Sequence, residues 1–504
     1  MAAPQVTARG LLLAGLAGVL HGLCFAPANL WLLALVAPAP LIVAARGASA
    51  PGAAILGWLA GTVASTIAVT PWITAATLGY FRQGPVGAVL FATLVGQVFH
   101  AVPTAAFAVG VRRLERLPSP VARVVTIAGL WTGLELLRSR ILGGAPWDLL
   151  GHALWAHPLW LQLADVGGVY AVSFACVAIA GCVAELSRAP RAAATAAIVV
   201  LGCWTGYGAL RLARERDGGD TVRIALVQGA VPNAWRADPG RADASFAAYA
   251  DATRRVLGDR PALVVWSENA ISFLLDPNTR FAASIARLLG PGGPRLLVGG
   301  PRFAQPEPGR AEFFNSAYLL DPDGTVVASY DKRRLVPFAE YAPLPRVPAL
   351  GWRFDAPGDY TPGRIATVFR DPAPFGVLIC FEAIYPDLAR DLVRGGAELL
   401  LNMSNDAWFG AGAGLEQHFA ITVFRAVEFR RALARATNTG VTALVGPSGR
   451  IVARFPTERR DAWTVAVPRR TGVTPYARAG DLFAALVTGV AAGGLALAGR
   501  ARGA

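Results

Sequence analysis

Gly376-Val377-Leu378-Ile379-Cys380 is an apolar run that stops at a cysteine, and Phe381-Glu382-Ala383-Ile384-Tyr385-Pro386 follows directly. Its length and composition read as a buried strand. Such a strand presents its last side chain at the carboxyl edge of a sheet, where α/β proteins often place their sites. Leu263-Val264-Val265-Trp266-Ser267-Glu268-Asn269 has the same form, with a carboxylate in place of the thiol.

Around these two stretches, residues 220–470 alternate short β-rich runs with helical ones. Further strands are read at Val222–Val231, Arg295–Val298, Ala317–Leu320, Thr325–Ser329, Glu398–Met403, Val441–Val445 and Trp463–Val467. Helices are read at about 241–257, 279–289 and 414–436. Asp321-Pro322-Asp323-Gly324 and Pro447-Ser448-Gly449 have turn composition. The pattern predicts one α/β domain with no internal repeat and no glycine-rich phosphate loop.

The flanking sequence is different. The chain has 504 residues, is 54% hydrophobic and only 16% charged, with mean hydropathy +0.44. A soluble domain carries about 25% charged residues, so a plain cytosolic enzyme and a disordered scaffold are both excluded. Apolar runs at about 10–26, 30–46, 53–76, 86–111, 121–139, 168–187, 192–210 and 481–499 approach the length that crosses a hydrocarbon core of roughly 30 Å. The first is read as a retained helix rather than a signal peptide, because further spans follow it directly. The domains expected are 1–219 with about seven spans, 220–470, and 471–504 with a linker and the last span.

The formal charge of +14 reads as arginines flanking spans rather than as a nucleic-acid surface. With the N-terminus in the cytoplasm, the inner segments hold Arg9, Arg46, Arg112, Arg113, Arg116, Arg188, Arg191, Arg500 and Arg502. The outer loops hold Arg82, Arg138 and Arg140. This asymmetry follows the positive-inside rule and places 220–470 on the outer face.

Of 47 basic residues, Lys332 is the one lysine. A chain that uses arginine everywhere else marks Lys332 as a place where a planar guanidinium fails and a compact ammonium is needed. It lies in Tyr330-Asp331-Lys332-Arg333-Arg334-Leu335-Val336-Pro337-Phe338-Ala339-Glu340-Tyr341. Cys380 is the one cysteine of five in the polar part of the chain; Cys24, Cys176, Cys182 and Cys203 lie in apolar runs. Glu268, Lys332 and Cys380 together fit one device: base, oxyanion donor and nucleophile. The five histidines are scattered and lack metal-ligand spacing, so neither a metal nor an organic cofactor is expected.

Trp266-Ser267-Glu268, the Lys332 segment and Ile379-Cys380-Phe381-Glu382 resemble the three catalytic segments of the nitrilase (carbon–nitrogen hydrolase) superfamily. Leu335 to Pro343, Asn402-Met403-Ser404-Asn405-Asp406-Ala407-Trp408-Phe409-Gly410, Gln417-His418, Arg425 to Glu428 and Arg435 to Val441 resemble its membrane branch, the apolipoprotein N-acyltransferases. So do Glu135 to Arg138 and Gly144 to Trp147. Ser267, Phe381 and Ala339 stand where that branch commonly has proline, tyrosine and glycine.

The resemblance implies an α-β-β-α sandwich beside about eight spans, with Glu268, Lys332 and Cys380 as catalytic triad and Glu340 and Glu382 as supporting carboxylates. It implies a phospholipid acyl donor, a diacylglyceryl apolipoprotein as acceptor, and a ping-pong thioester mechanism at the outer face of the bacterial inner membrane. Trp408 and Phe409 are expected at an apolar substrate rim. A monomer in the lipid bilayer, with no nucleic-acid partner, is expected. The alternatives are a membrane-tethered amidase or nitrilase with the same triad, and a transporter with an outer sensor domain. The first leaves residues 135–148 without a task. The second calls for paired charges within the spans, which are nearly empty of them apart from Glu135 and Glu185.

Overall fold

The computed structural model describes residues 6–81, 83–215, 219–232, 242–275, 280–307, 309–341, 360–410 and 412–500. Arg82, Pro343 and Arg502, used in the sequence reading, lie outside the described residues. Alternation along one strand sets the layering. Val377 and Ile379 face a core shared with Leu226, Val265 and Leu297, whereas Leu378 faces the opposite way toward helices. That shared core lies between two six-stranded sheets.

The first sheet has the order β12-β1-β2-β3-β4-β5, with β1 Thr221–Gln228, β2 Leu263–Val265, β3 Arg295–Glu307, β4 Arg310–Leu320, β5 Val326–Asp331 and β12 Asp461–Pro468. The second has the order β11-β10-β9-β8-β7-β6, with β6 Val368–Phe369, β7 Phe375–Ile379, β8 Leu399–Ser404, β9 Leu433–Thr437, β10 Ala443–Val445 and β11 Ile451–Arg454. In each sheet three adjacent strands run parallel, β1-β2-β3 and β7-β8-β9, and their neighbours pair antiparallel. Helices Ala242–Arg254 and Arg280–Leu289 cover the outer face of the first sheet. Helices Pro386–Arg394 and Ala413–Phe429 cover the second, and their core continues into the apolar helices of the N-terminal half. The α-β-β-α sandwich is present and rests on those helices through one of its own helical layers.

Both sequence-predicted turns are formed. Gly324 N–H donates to Asp321 O at 2.9 Å and Gly449 N–H to Gly446 O at 2.9 Å. The helix read at 414–436 is shorter: it ends at Phe429, Arg430 takes φ +51°, and Leu433–Thr437 is β9. Arg431 and Arg435, which follow the helix, are buried. Membership of a central strand overrides local propensity there. The short strands β6 and β11 carry too little pattern to be read; helix Pro386–Arg394, with Leu388, Ala389, Leu392 and Val393 on one buried face, was legible in the sequence and was missed.

Among the described residues, six helices are long and apolar enough to cross a membrane: Ala50–Ala68, Pro85–Leu114, Pro120–Arg138, Ala164–Glu185, Pro190–Ala213 and Leu482–Arg500. The first two expected spans form shorter apolar helices, Ala8–Leu23 and Trp31–Arg46. Pro71 ends the run read at 53–76 by starting a separate helix, Thr70–Gly79.

Charge is segregated along this bundle. At one end Arg46 bonds Glu115 and Glu185, Arg123 bonds Glu185, and Arg188 bonds Glu115. Arg138 is at the other end, buried rather than in an exposed loop, where it donates to Phe99 O at 3.0 Å and Trp147 O at 2.8 Å. At that end the sandwich is attached. Gln417 Oε1 accepts from the Trp72 and Trp147 indoles at 3.0 and 2.7 Å, and its Nε2 donates to Ala26 O and Ala68 O at 3.0 and 2.8 Å. One buried amide thus ties the sandwich to three segments of the bundle.

Candidate active site

The three sequence-predicted residues converge because each begins where a strand ends. Glu268 lies three residues past β2, Lys332 directly follows β5, and Cys380 directly follows β7. Two come from the first sheet and one from the second, so the site straddles the seam. Gly299 of β3 permits this: a Cβ there would come within 2.6 Å of Ser267 O and 2.8 Å of Glu268 Cα. Cys380 takes φ +50°, and Asn269, Phe338 and Asp406 on the surrounding segments take φ +50°, +66° and +55°. Left-handed backbone at residues with a Cβ costs of order 1–3 kcal/mol each and persists where the surroundings hold it, often at functional sites.

Lys332 is 1% exposed. Its Nζ donates to Glu268 Oε1 at 3.0 Å and Glu340 Oε1 at 2.9 Å, which leaves one of three ammonium protons undirected. Asn315 Nδ2 donates to the same two oxygens, at 2.9 and 2.7 Å. Asn405 N–H donates to Glu268 Oε2 at 3.0 Å and Val336 N–H to Glu340 Oε2 at 2.7 Å. These donors neutralise two carboxylates with one cation. Although burial opposes it, the Lys332 ammonium and the amide donors hold the Glu268 carboxyl below its ordinary value. Glu268 and Glu340 in turn hold the Lys332 ammonium well above its own.

The thiol behaves oppositely. Cys380 is buried and lies close enough to Glu268 and Lys332 to feel both charges. Burial, then the adjacent Glu268 carboxylate, pushes its pKa well up. At rest the site therefore holds a neutral thiol, a carboxylate and an ammonium.

Glu382 is fully buried and clamps two segments together. Its Oε1 accepts from Tyr330 Oη at 2.8 Å, Arg333 N–H at 2.6 Å and Arg334 N–H at 3.1 Å, while Oε2 accepts from Ile379 N–H at 2.8 Å. It fastens the lysine loop to the turn that carries Cys380. Glu340 closes that loop on itself through Val336.

Behind Cys380 lies a network to which the sequence reading gave no role. Ile379 pairs with Met403, which sets Ser404 beside Cys380. Ser404 Oγ donates to Asp406 Oδ1 at 2.6 Å, and Asp406 Oδ2 accepts from Arg435 at 2.6 Å. His418 Nδ1 lies 3.0 Å from Asp406 Oδ1, and its ring stacks on Trp147 of the bundle at 5.8 Å. Arg435 holds the Asp406 carboxyl well below the usual range despite burial. The polar run after an apolar strand, Asn402 to Asp406, was the available signal; Asn315, alone inside β4, gave none.

Phe409 is buried in the seam with the bundle, 5.3 Å from Trp72 and 5.7 Å from Trp147. Trp408 is half-buried and stacks on it at 3.9 Å. Among the described residues no group of three or more His, Cys, Asp or Glu side chains is arranged to hold a metal ion.

Residues 17–182 match the apolipoprotein N-acyltransferase N-terminal domain and residues 223–476 match the carbon-nitrogen hydrolase family. Among similar proteins, the apolipoprotein N-acyltransferase of Geobacter metallireducens is 34% identical over 497 residues, covering 96% of this chain and 94% of its own. That of Azotobacter vinelandii is 34% identical over 480 residues, covering 93% and 91%. That of Pseudomonas putida is 32% identical over 506 residues, covering 97% of each. The strand-end thiol, carboxylate and ammonium sit in a sandwich carried by apolar helices, and these relatives match the chain nearly end to end. The chain belongs to the apolipoprotein N-acyltransferase family: it is a multi-pass inner-membrane acyltransferase with a carbon–nitrogen hydrolase domain.

Proposed function

We propose that Glu268, Lys332 and Cys380 carry acyl transfer from a membrane phospholipid to the N-terminal amine of a diacylglyceryl-cysteinyl lipoprotein. The observation that carries this reading is the Lys332 ammonium, held by two carboxylates and set beside the buried Cys380 thiol at the end of a strand. Glu268 accepts the Cys380 proton as sulfur bonds to the ester carbonyl carbon. Because the thiol lies high and the carboxyl low, that proton moves uphill and must move together with carbon–sulfur bond formation. The remaining Lys332 N–H stabilises the tetrahedral oxyanion. The ester C–O bond breaks, the lysophospholipid oxygen takes the proton from Glu268, and a thioester is left. The lipoprotein amine then attacks the thioester and gives its proton to Glu268. The C–S bond breaks, the thiolate recovers that proton, and an amide is released.

In this account Glu340 and Glu382 position the lysine loop, and Trp408 forms an apolar rim for the acyl chain. Residues 1–219 and 471–504 hold the enzyme in the bilayer and 220–470 perform the chemistry. Both substrates are kept in the membrane by their chains, about 0.8 kcal/mol for each buried methylene, so a site attached to the bundle avoids extracting them. The test is incubation of the purified protein with phospholipid and a diacylglyceryl-cysteinyl peptide. N-acylated peptide is expected; release of free fatty acid with the peptide unmodified would favour a hydrolase.

The depressed Glu268 pKa gives a pH signature. A base whose pKa is lowered stays ionised until the pH falls through that value, below the ordinary 4.5. The rate of thioester formation, followed by mass in a single turnover without acceptor, is therefore expected to stay level from about pH 8 to about pH 5. A tenfold fall per unit across that range would remove Glu268 as the base.

We further propose that the sandwich faces the outer side of the membrane, a reading supported by the clustering of Arg46, Arg123 and Arg188 at the bundle's far end. Reporter fusions after residues 117 and 189 are expected to register cytoplasm and one near residue 310 the opposite side. A cytoplasmic signal at 310 would reverse the orientation.

A further inference from the structure

At the junction between the bundle and the sandwich, helix Pro190–Ala213 ends beside an open groove of about 490 Å³. Arg211, Arg214, Arg430, Arg431 and Arg470 line it, with Glu215 as the one lining carboxylate among the described residues. Part of this charge is compensated from within. Buried Asp165 accepts from Arg211 at 2.8 Å and Arg430 at 2.7 Å, so one carboxylate serves two guanidinium groups. Arg211 Nε is buried without a hydrogen-bond partner.

Arg431 is the telling residue. It is 2% exposed, yet it donates only to carbonyls: Ala397 O at 2.7 Å, Gly472 O at 2.8 Å, Phe429 O at 3.1 Å and Arg430 O at 3.3 Å. The neighbouring Glu398 carboxylate is bonded by Arg469 at 2.6 Å instead. A buried guanidinium without a bonded carboxylate, set among other arginines, is costly unless an anion completes it. Burial lowers its pKa to about 10.

The groove is also placed for lipid. Its arginines stand at the end of a helix of which only 17% is buried within the protein. Below them Leu210, Val199 and Ile198 are 46%, 56% and 71% exposed, and Val473 on the groove's lip is 46% exposed. A molecule with a phosphate head and apolar tails fits this sequence of surfaces, the head among guanidinium groups and the tails along the helix. An acidic protein segment would leave the apolar face unused.

We propose that this groove binds the phosphodiester of an anionic phospholipid headgroup, at a site separate from the acyl-transfer centre. The separation follows from the strands. Arg431 contacts Ala397, before the start of β8, whereas Cys380 lies beside Ser404 at its end. Six residues at about 3.3 Å each put the two sites roughly 20 Å apart. Such a lipid fastens the sandwich to the bilayer on the side away from the chemistry.

The test uses the full-length protein carrying Cys380→Ala, which stops turnover, in zwitterionic detergent. Native mass spectrometry follows its titration with dioctanoyl phosphatidylglycerol, dioctanoyl phosphatidylcholine or inorganic phosphate. Tighter retention of phosphatidylglycerol than of phosphatidylcholine is expected, with at least a tenfold loss in Arg211→Gln/Arg214→Gln and no displacement by inorganic phosphate at the lipid's concentration. Arg214 is exposed, so Arg214→Gln alone, with an unchanged melting temperature, is expected to show a partial loss and guards against misfolding of the double variant. Equal retention of the two lipids, retention unaffected by either variant, or displacement by inorganic phosphate would each overturn the proposal.

Discussion

Cys380→Ala is expected to reduce acyl transfer by on the order of 10⁵-fold or more, the scale seen when a covalent nucleophile is removed. Of the five cysteines it is the one in the sandwich; the others lie in the bundle. Its left-handed backbone and its place beside the Glu268 carboxylate and the Lys332 ammonium mark it as held for a purpose. Cys380→Ser is expected to fail nearly as badly. Glu268, with its carboxyl pKa below the ordinary value, is a poor base for a thiol and a far poorer one for a hydroxyl. Neither change creates a large cavity, so the melting temperature should stay within a few degrees of the parent. Near-normal transfer by Cys380→Ala would remove the nucleophile.

Lys332→Arg is expected to lower the rate by on the order of 100- to 1000-fold, the cost of losing one oxyanion donor. The ammonium occupies a buried slot between Glu268 Oε1 and Glu340 Oε1, with the Asn315 amide on the same two oxygens. A guanidinium is planar and longer, and its charge could still satisfy both carboxylates while its bulk moved into the space of the acyl carbon. Lys332→Ala would additionally strand two buried carboxylates, at a cost of about 3–5 kcal/mol in stability. Arginine is thus the more informative replacement. The measurement is the transfer rate, with folding followed by thermal melting. A rate within about threefold of the parent, under 1 kcal/mol, would show that the lone lysine is an ordinary basic residue.

What could be read in advance followed from strand ends. Glu268, Lys332 and Cys380 stand out because each closes or follows an apolar or β-rich run, and their meeting needs only two sheets packed with carboxyl edges on one side. Glu382 was expected as a supporting carboxylate only through the family resemblance, and its clamp on Ile379, Arg333 and Arg334 depends on where two loops meet. Asn315 was invisible because one asparagine in a long strand looks like any solvent-facing residue. Arg435 was misread with the whole of β9, since an arginine in a buried strand contradicts the usual hydrophobic pattern until Asp406 is found beside it. The span count was set by hydropathy, which cannot see that Pro71 divides one run or that the first two helices are short.

The central claim is that Cys380 carries the acyl group between donor and acceptor. The most direct measurement is peptide-resolved mass spectrometry of the full-length protein after incubation with phospholipid and no acceptor. The account predicts a mass increase of one acyl chain on the peptide containing Cys380, removed by hydroxylamine and discharged when a diacylglyceryl-cysteinyl peptide is added. An unmodified Cys380 peptide under conditions where transfer proceeds, or an acyl group on any other residue, would contradict it.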